Sequence, residues 1–555
     1  MGILARARKA VILVLAVLLV GWPSSLPAVG QIVLEDVVAR GFEVAVSITP
    51  VDLSLEMVGG DLRFLSRGTL RGTARVALEI TAEQPVSRVR MDLSSVLTVR
   101  SVQAEGARVA FTRTGSQLLL TFDPALSPKA RQTVTIEYDG QPLFLYNEFV
   151  LLHTNALYPV LVSPFGDYST NMGRVSVQVT APTGFAAVST GRQVSAEGNV
   201  VRWDSEVEVP WVALAGGRRH RRVDRTAGGV RMQIYVIPGE ERNLDKLAGF
   251  TGQAVEFFGR LLYPFPYAEL KVVSLIVVGG GIGYPALLLI DDRAFSGTMP
   301  GALNRDSWLF LLMAHEAAHS YVPSRTVPKG VGFVWLSEGF AEYLALMAVE
   351  AVMGPEAFAR ELQEERDDYA VIAGKPEDRS IASFTFANYG PRASRRVIYS
   401  KGSLVLHMLR FVIGDYAFRR SLAAFFQRTR GRAARVDEFR EVAEEISGAK
   451  LEWFFDQWIS QVVLPDYVVA SASTTRTDEG EFRTTATIRN TGTGTMPVEV
   501  AFGTGEGRVV RRVEVPGGGE IAVAVTTPAT IKEVEVDPGK WLIQSNYKND
   551  RFEIR

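Results

Sequence analysis

Between about residue 45 and residue 225, apolar and polar positions alternate with the period of a half-buried strand. Ala74, Val76, Leu78 and Ile80 fall on one face, and Val134, Ile136 and Tyr138 repeat the pattern. Frequent Gly, Pro, Asp and Ser turns between such runs predict an antiparallel β domain. The character changes near residue 226, where Val230–Ile237 reads as a strand and Glu241–Leu262 as a long amphipathic helix. Tyr263-Pro264-Phe265-Pro266-Tyr267 stops that helix firmly. Val272–Val278 and Ala286–Asp291 read as two more strands, after which helical patterns dominate as far as Trp458. Strict alternation returns from about residue 466, in Thr484–Arg489, Pro497–Phe502, Val509–Val515 and Ile521–Val525. The expected fold is multidomain α+β: an N-terminal antiparallel β domain over 31–225, an α+β domain over 226–465 and a C-terminal β-sandwich over 466–555. The charged run Glu361–Asp368 is expected to be a solvated helix face.

The first thirty residues follow another logic. Arg6, Arg8 and Lys9 precede the apolar run Ala10–Val20, and small residues at Ala28 and Gly30 favour cleavage before Gln31. This is the order of a signal peptide over 1–30, and it predicts a secreted or otherwise extracytoplasmic protein. A leader left uncleaved would tie the chain to a membrane. The chain has no cysteine, which excludes disulfides and thiolate metal sites. A formal charge of −1 gives no global argument for nucleic acid. The basic cluster Arg218-Arg219-His220-Arg221-Arg222 is read as a solvated connection between domains.

Only one stretch carries obvious chemistry. His315-Glu316-Ala317-Ala318-His319 follows the apolar, helix-permissive run Ser307–Ala314. Residues four apart on a helix lie about 40° from each other, so both imidazoles can approach one ion from one side. Zinc completes such a pair with a carboxylate and keeps a position for water. Glu338, in Trp335–Tyr343, is placed to supply that carboxylate, and Glu316 to take a proton from water. A pair of hydrogen-bonded core histidines beside a solvated glutamate is the alternative. The chain has only five histidines, and charge in so apolar a run needs a reason that a metal supplies.

The combination resembles the aminopeptidase N-like family of gluzincin zinc metallopeptidases, to which leukotriene hydrolase is also related. Eighteen residues separate His319 from Glu338, as in the family, and Trp335-Leu336-Ser337-Glu338-Gly339-Phe340-Ala341 is similar to its second motif. Tyr399-Ser400-Lys401-Gly402 resembles its Y-x-K-G segment, and Phe454–Trp458 its closing F-F-x-Q-W. The resemblance implies a thermolysin-like catalytic domain, one Zn2+ held by His315, His319 and Glu338, and Glu316 as the proton carrier. Tyr399 becomes the donor to an oxyanion, with a helix-start aromatic packed on the core as its other reading. His407, in the apolar helix after it, reads as a core histidine rather than a fourth ligand. The expected activity is hydrolysis of peptide or protein substrates.

The departures matter as much. The family's glycine-rich substrate segment ends in a glutamate that binds the peptide's free amino group. The matching stretch is Gly279-Gly280-Gly281-Ile282-Gly283-Tyr284-Pro285, so glycine occupies that glutamate's position. Gly280, Gly281, Gly283 and Tyr284 remain candidate substrate contacts, since glycine lets a backbone approach closely and an extended peptide can pair with a strand edge. Asp291, Asp292 or Glu148 are the acids that sequence position offers as substitutes. Ala345 stands where relatives often carry an acid that supports the metal ligands, whereas Glu342 is either a residue orienting a ligand histidine or a solvated charge. Altered recognition of the amino end is therefore expected. A zinc-containing surface protein that binds peptides without hydrolysing them is the alternative.

Overall fold

The computed structural model describes residues 37–58, 61–146, 149–153, 157–161, 172–217, 220–275, 280–384, 395–505 and 507–554. The leader and Glu148 lie outside the described residues, as do Arg218 and Arg219 of the basic cluster.

The fold is the expected α+β succession of β sheets, a helical middle and β sheets again. A long hairpin, Val37–Val58 with Asp61–Ile80, forms the spine of a ten-stranded sheet. Most neighbours are antiparallel, but Arg174–Thr180 runs parallel to the first strand. Ala74, Val76, Leu78 and Ile80 are buried with Val134, Ile136 and Tyr138, so the alternation marked the inward face. A four-stranded sheet built on Val86–Asp92 and Gln117–Leu126 completes this region, and the two share one core.

The middle region starts with a five-stranded mixed sheet: β1 (Arg221–Ala227), β2 (Val230–Val236), β3 (Glu269–Leu275), β4 (Gly281–Tyr284) and β5 (Leu287–Asp291). Its order is β1-β2-β3-β5-β4, which leaves β4 at the edge. Side chains alternate between two cores. Leu270, Val272, Leu288 and Ile290 face the helices, whereas Val273, Leu275, Leu287 and Leu289 face Trp203, Ala213 and Ala215 of the N-terminal sheet. Burial on both faces explains why these strands read as apolar runs.

Helices α1 (Leu244–Leu261) and α2 (Asp306–Ala318) pack on that sheet, α3 (Phe340–Met353) packs on both of them, and α4 (Pro355–Ala370) and α5 (Gly402–Ile413) pack on α3. Apart from its first residue and Trp308, every residue of α2 is buried, as its lack of a polar stripe demands. The charged run on α4 departs from expectation. Glu361 and Glu365 are only 1% exposed, because Ser307 reaches the first and Arg395 the second from distant segments. Two β sheets close the fold, Tyr467–Arg476 with Phe482–Asn490 and Glu520–Thr527, and a four-stranded sheet centred on Met496–Gly503 and Glu533–Val536.

Candidate metal and active site

Each candidate side chain is fixed by its own element. His315 and Glu316 belong to the last turn of α2, and His319 follows as its C-cap with helical φ −64° and ψ −15°. The four-residue spacing therefore survives the helix end, and the two imidazoles meet edge to face at 4.9 Å. Glu338 comes from the π-helical turn Trp335–Gly339 that leads into α3, and Tyr399 from a second π-helical turn, Arg395–Lys401, that leads into α5. Such turns shift the residues after them around the helix axis and are frequent at functional sites.

The ligand atoms converge. His315, His319 and Glu338 form a group of three whose donor atoms all lie within 4.8 Å of one another. Glu338 Oε2 is 3.5 Å from His315 Nε2 and 3.4 Å from His319 Nε2. Two donors on one tetrahedral zinc ion, each about 2.1 Å from it, stand about 3.4 Å apart. The other atoms of the three groups are occupied elsewhere. His319 Nδ1 is 2.9 Å from the Val322 carbonyl oxygen, Ser337 Oγ donates to Glu338 Oε1 at 3.1 Å, and Glu342 Oε2 lies 2.6 Å from His315 Nδ1. Both Nε2 atoms and Oε2 thus remain for a metal, and the residues fit zinc.

Glu316 is 5% exposed, and burial, ahead of the neighbouring charges, pushes its carboxyl up to about 7. The Tyr399 ring stacks on His315 with centroids 5.6 Å apart and planes 19° apart. Burial and then the Glu338 carboxylate hold its phenol well above the usual range, so it stays a donor. His407 is held by the Tyr343 hydroxyl at 3.0 Å and stacks on Trp541.

The glycines of β4 border this cluster. A Cβ added at Gly281 would stand 2.6 Å from Glu316 Cγ, and one at Gly283 would strike the α2 backbone. Gly280 accepts the Asp291 backbone N–H at 3.0 Å, and Tyr284 ends the strand, with Glu316 among the charges acting on its phenol. Asp291 is bound by Arg293 through 2.7 and 3.0 Å contacts, so its carboxylate is engaged there.

Sequence reasoning missed Arg395, whose guanidinium lies 5.0 Å from the Tyr399 ring and bonds Glu342 and Glu365. No motif marks it; its position four residues before Tyr399 was the only available signal. It also missed the role of Trp335, whose indole N–H donates to the Gly402 carbonyl at 3.0 Å.

The pattern of the Peptidase family M1 domain matches residues 261–458. The chain is 24% identical over 284 residues to aminopeptidase N of Lactococcus lactis subsp. lactis, covering 47% of this chain and 31% of that protein. It is 23% identical over 266 residues to the puromycin-sensitive aminopeptidase of Caenorhabditis elegans, covering 46% of this chain and 27% of the relative. The alignments thus span about a third or less of those relatives' lengths. In structure, the chain is similar to an M1 zinc metallopeptidase from Deinococcus radiodurans, with a TM-score of 0.61 at 20% identity, over 80% of this chain and 98% of that one. The same figures hold for a mutant form of that protein. These likenesses establish a shared fold.

Proposed function

Since residues 261–458 match the Peptidase family M1 domain and the chain is similar to aminopeptidases, we propose that this chain is an exported zinc-dependent metallopeptidase of the aminopeptidase N-like gluzincin kind. His315, His319 and Glu338 hold one zinc ion, which when bound polarises water and the scissile carbonyl. Glu316 takes the proton of the attacking water and delivers it to the departing amine. The Tyr399 hydroxyl donates to the oxyanion that develops. The substrate peptide lies along the edge of β4, where backbone pairing orients it.

The observation that carries this reading is the convergence of two Nε2 atoms and one carboxylate oxygen at 3.4–3.5 Å, with Glu316 and Tyr399 beside them. The test is Glu316→Gln. Zinc content should stay at the wild-type level while kcat falls about a hundred- to ten-thousandfold. Undiminished turnover would refute the mechanism.

The action is aminopeptidase-like with altered recognition of the amino terminus. Gly283 supports this, because it offers no carboxylate to a substrate ammonium group. Comparing an aminoacyl reporter with its amino-blocked counterpart decides the point: similar kcat/KM for both excludes a strict amine requirement, and cleavage of the free amine alone restores it. The same glycine is what favours a peptide-binding protein without turnover, which tight peptide binding in the presence of zinc with no product would establish. Glu316 and Tyr399 weigh against it. Export is supported by the order of Arg6, Arg8, Lys9 and the apolar run to Val20. A mature protein beginning at Gln31, read by mass spectrometry, is the expected result; a retained leader would instead anchor the chain in a membrane.

A further inference from the structure

Arg395 stands outside the metal ligands yet touches what surrounds them. Its Nη2 is 3.2 Å from Glu342 Oε1 and 2.8 Å from Glu365 Oε1. The guanidinium carbon Cζ lies over the Tyr399 ring, 5.0 Å from its centre. The other oxygen of Glu342 is 2.6 Å from His315 Nδ1, and the Tyr399 ring stacks on the His315 ring. His315, Glu342, Arg395 and Tyr399 therefore close a ring of contacts, each corner touching the next. Glu365 holds the arginine from α4 and is outside that ring.

We propose that Arg395 is a positioning residue for hydrolysis, fixing His315 through Glu342 and Tyr399 through its aromatic face; this rests on the zinc-peptidase reading above. The side-chain chemistry suits the task. A planar guanidinium can bond carboxylates with its edge while its face lies over a phenol, which a lysine ammonium cannot do at once. Glu342 and Glu365 are 2% and 1% exposed, so neither carboxylate is at ease without a cation. Loss of the arginine frees Glu342 to turn from His315 and frees Tyr399 to leave the histidine face. An arginine that only braced α3 against α4 would change stability and nothing else.

The experiment compares wild type, Arg395→Lys and Arg395→Gln, with Glu365→Gln as a control that loosens the arginine from outside the site. Zinc affinity is measured by competition with a chromogenic chelator, and kcat and KM with a peptide reporter. Arg395→Gln should bind zinc about 10- to 100-fold more weakly and lose at least about tenfold in kcat. Arg395→Lys should keep most of the zinc affinity, since it still neutralises the carboxylates, but lose kcat because its ammonium does not hold the Tyr399 ring. Wild-type zinc affinity and kcat in Arg395→Gln, with only a lower melting temperature, would overturn the proposal. If Arg395→Gln does not fold, undiminished kcat in Arg395→Lys would overturn it instead. A wild-type protein that takes up zinc but hydrolyses nothing refutes the peptidase reading and leaves the arginine's effect on zinc affinity to be judged by itself.

Discussion

A Cβ placed at Gly283 would stand 2.5 Å from the Glu316 carbonyl oxygen and 2.5 Å from His319 Cβ. The first neighbour is backbone and the second belongs to a metal-site histidine, so neither can yield cheaply. The strand β4 therefore runs closer to α2 than any residue with a side chain permits, and glycine at 283 is a packing requirement as well as a missing carboxylate. Gly283→Ala should cost about 1–3 kcal/mol through overpacking and weaken zinc binding as His319 is pushed aside. Urea unfolding of the zinc-loaded and chelated protein measures both. Wild-type stability together with wild-type zinc affinity would mean that β4 can withdraw without cost, and a glutamate there would then be tolerated too. Gly281 differs, because a methyl group there would meet only Glu316 side-chain atoms at 2.6–2.8 Å and would displace that carboxylate rather than the α2 backbone.

The two π-helical turns explain how separate elements hold one geometry. Trp335 begins the turn carrying Glu338, and its indole fills the space left by Gly339 and Gly402, where an added Cβ would meet Cδ1 at 2.4 and 2.7 Å. The indole N–H then bonds the Gly402 carbonyl, tying that turn to the start of α5, directly after the turn carrying Tyr399. Trp335→Phe keeps an aromatic ring but removes the bond and the pyrrole edge that packs on Gly339 and Gly402. It should cost about 1–3 kcal/mol for the lost hydrogen bond and the space left by the smaller ring, and lower kcat far more than zinc affinity, because all three ligands remain while Tyr399 is loosened. Equal zinc affinity and equal kcat would sever this link between packing and chemistry. At this scale the sequence was informative in proportion to how local each signal is. Strands such as Val509–Val515 and the pair His315/His319 rest on period and spacing, and they were legible. The π-helical turns have no distinguishing pattern, so they were not. The inward carboxylates of α4 escaped notice for another reason: their partners, Ser307 and Arg395, are 54 and 30 residues away in the chain.

At the scale of the molecule, the helices and the C-terminal sheets share one hydrophobic core, running from Val230 to Ile543. Trp541 of the C-terminal region stacks on His407 at 4.4 Å, so α5 is braced from behind. The N-terminal sheet is joined differently, through a smaller apolar cluster under β3 and β5. In that junction Lys271 of β3 is fully buried, donates to the Gly191 carbonyl and lies 5.7 Å from the Trp203 ring. Burial pulls its ammonium down to about 8 from the ordinary 10.5, with Glu269 and Glu206 opposing. Below pH 8 both folded and unfolded chains hold the proton, so the cost of burying the charge is fully present. Between pH 8 and 10.5 the folded chain releases a proton that the unfolded chain keeps, and stability must rise with pH through that window. From pH 7.5 to 9.5 the gain should reach about 2 kcal/mol. Other groups also titrate there, so the measurement is the difference between wild type and Lys271→Met in urea unfolding at the two pH values. The methionine variant should be the more stable protein at pH 7.5, and its margin should shrink by about 2 kcal/mol by pH 9.5. Parallel curves would show that the lysine keeps its proton at no cost, with the Gly191 carbonyl, the Trp203 face and the nearby glutamates together replacing water around the charge.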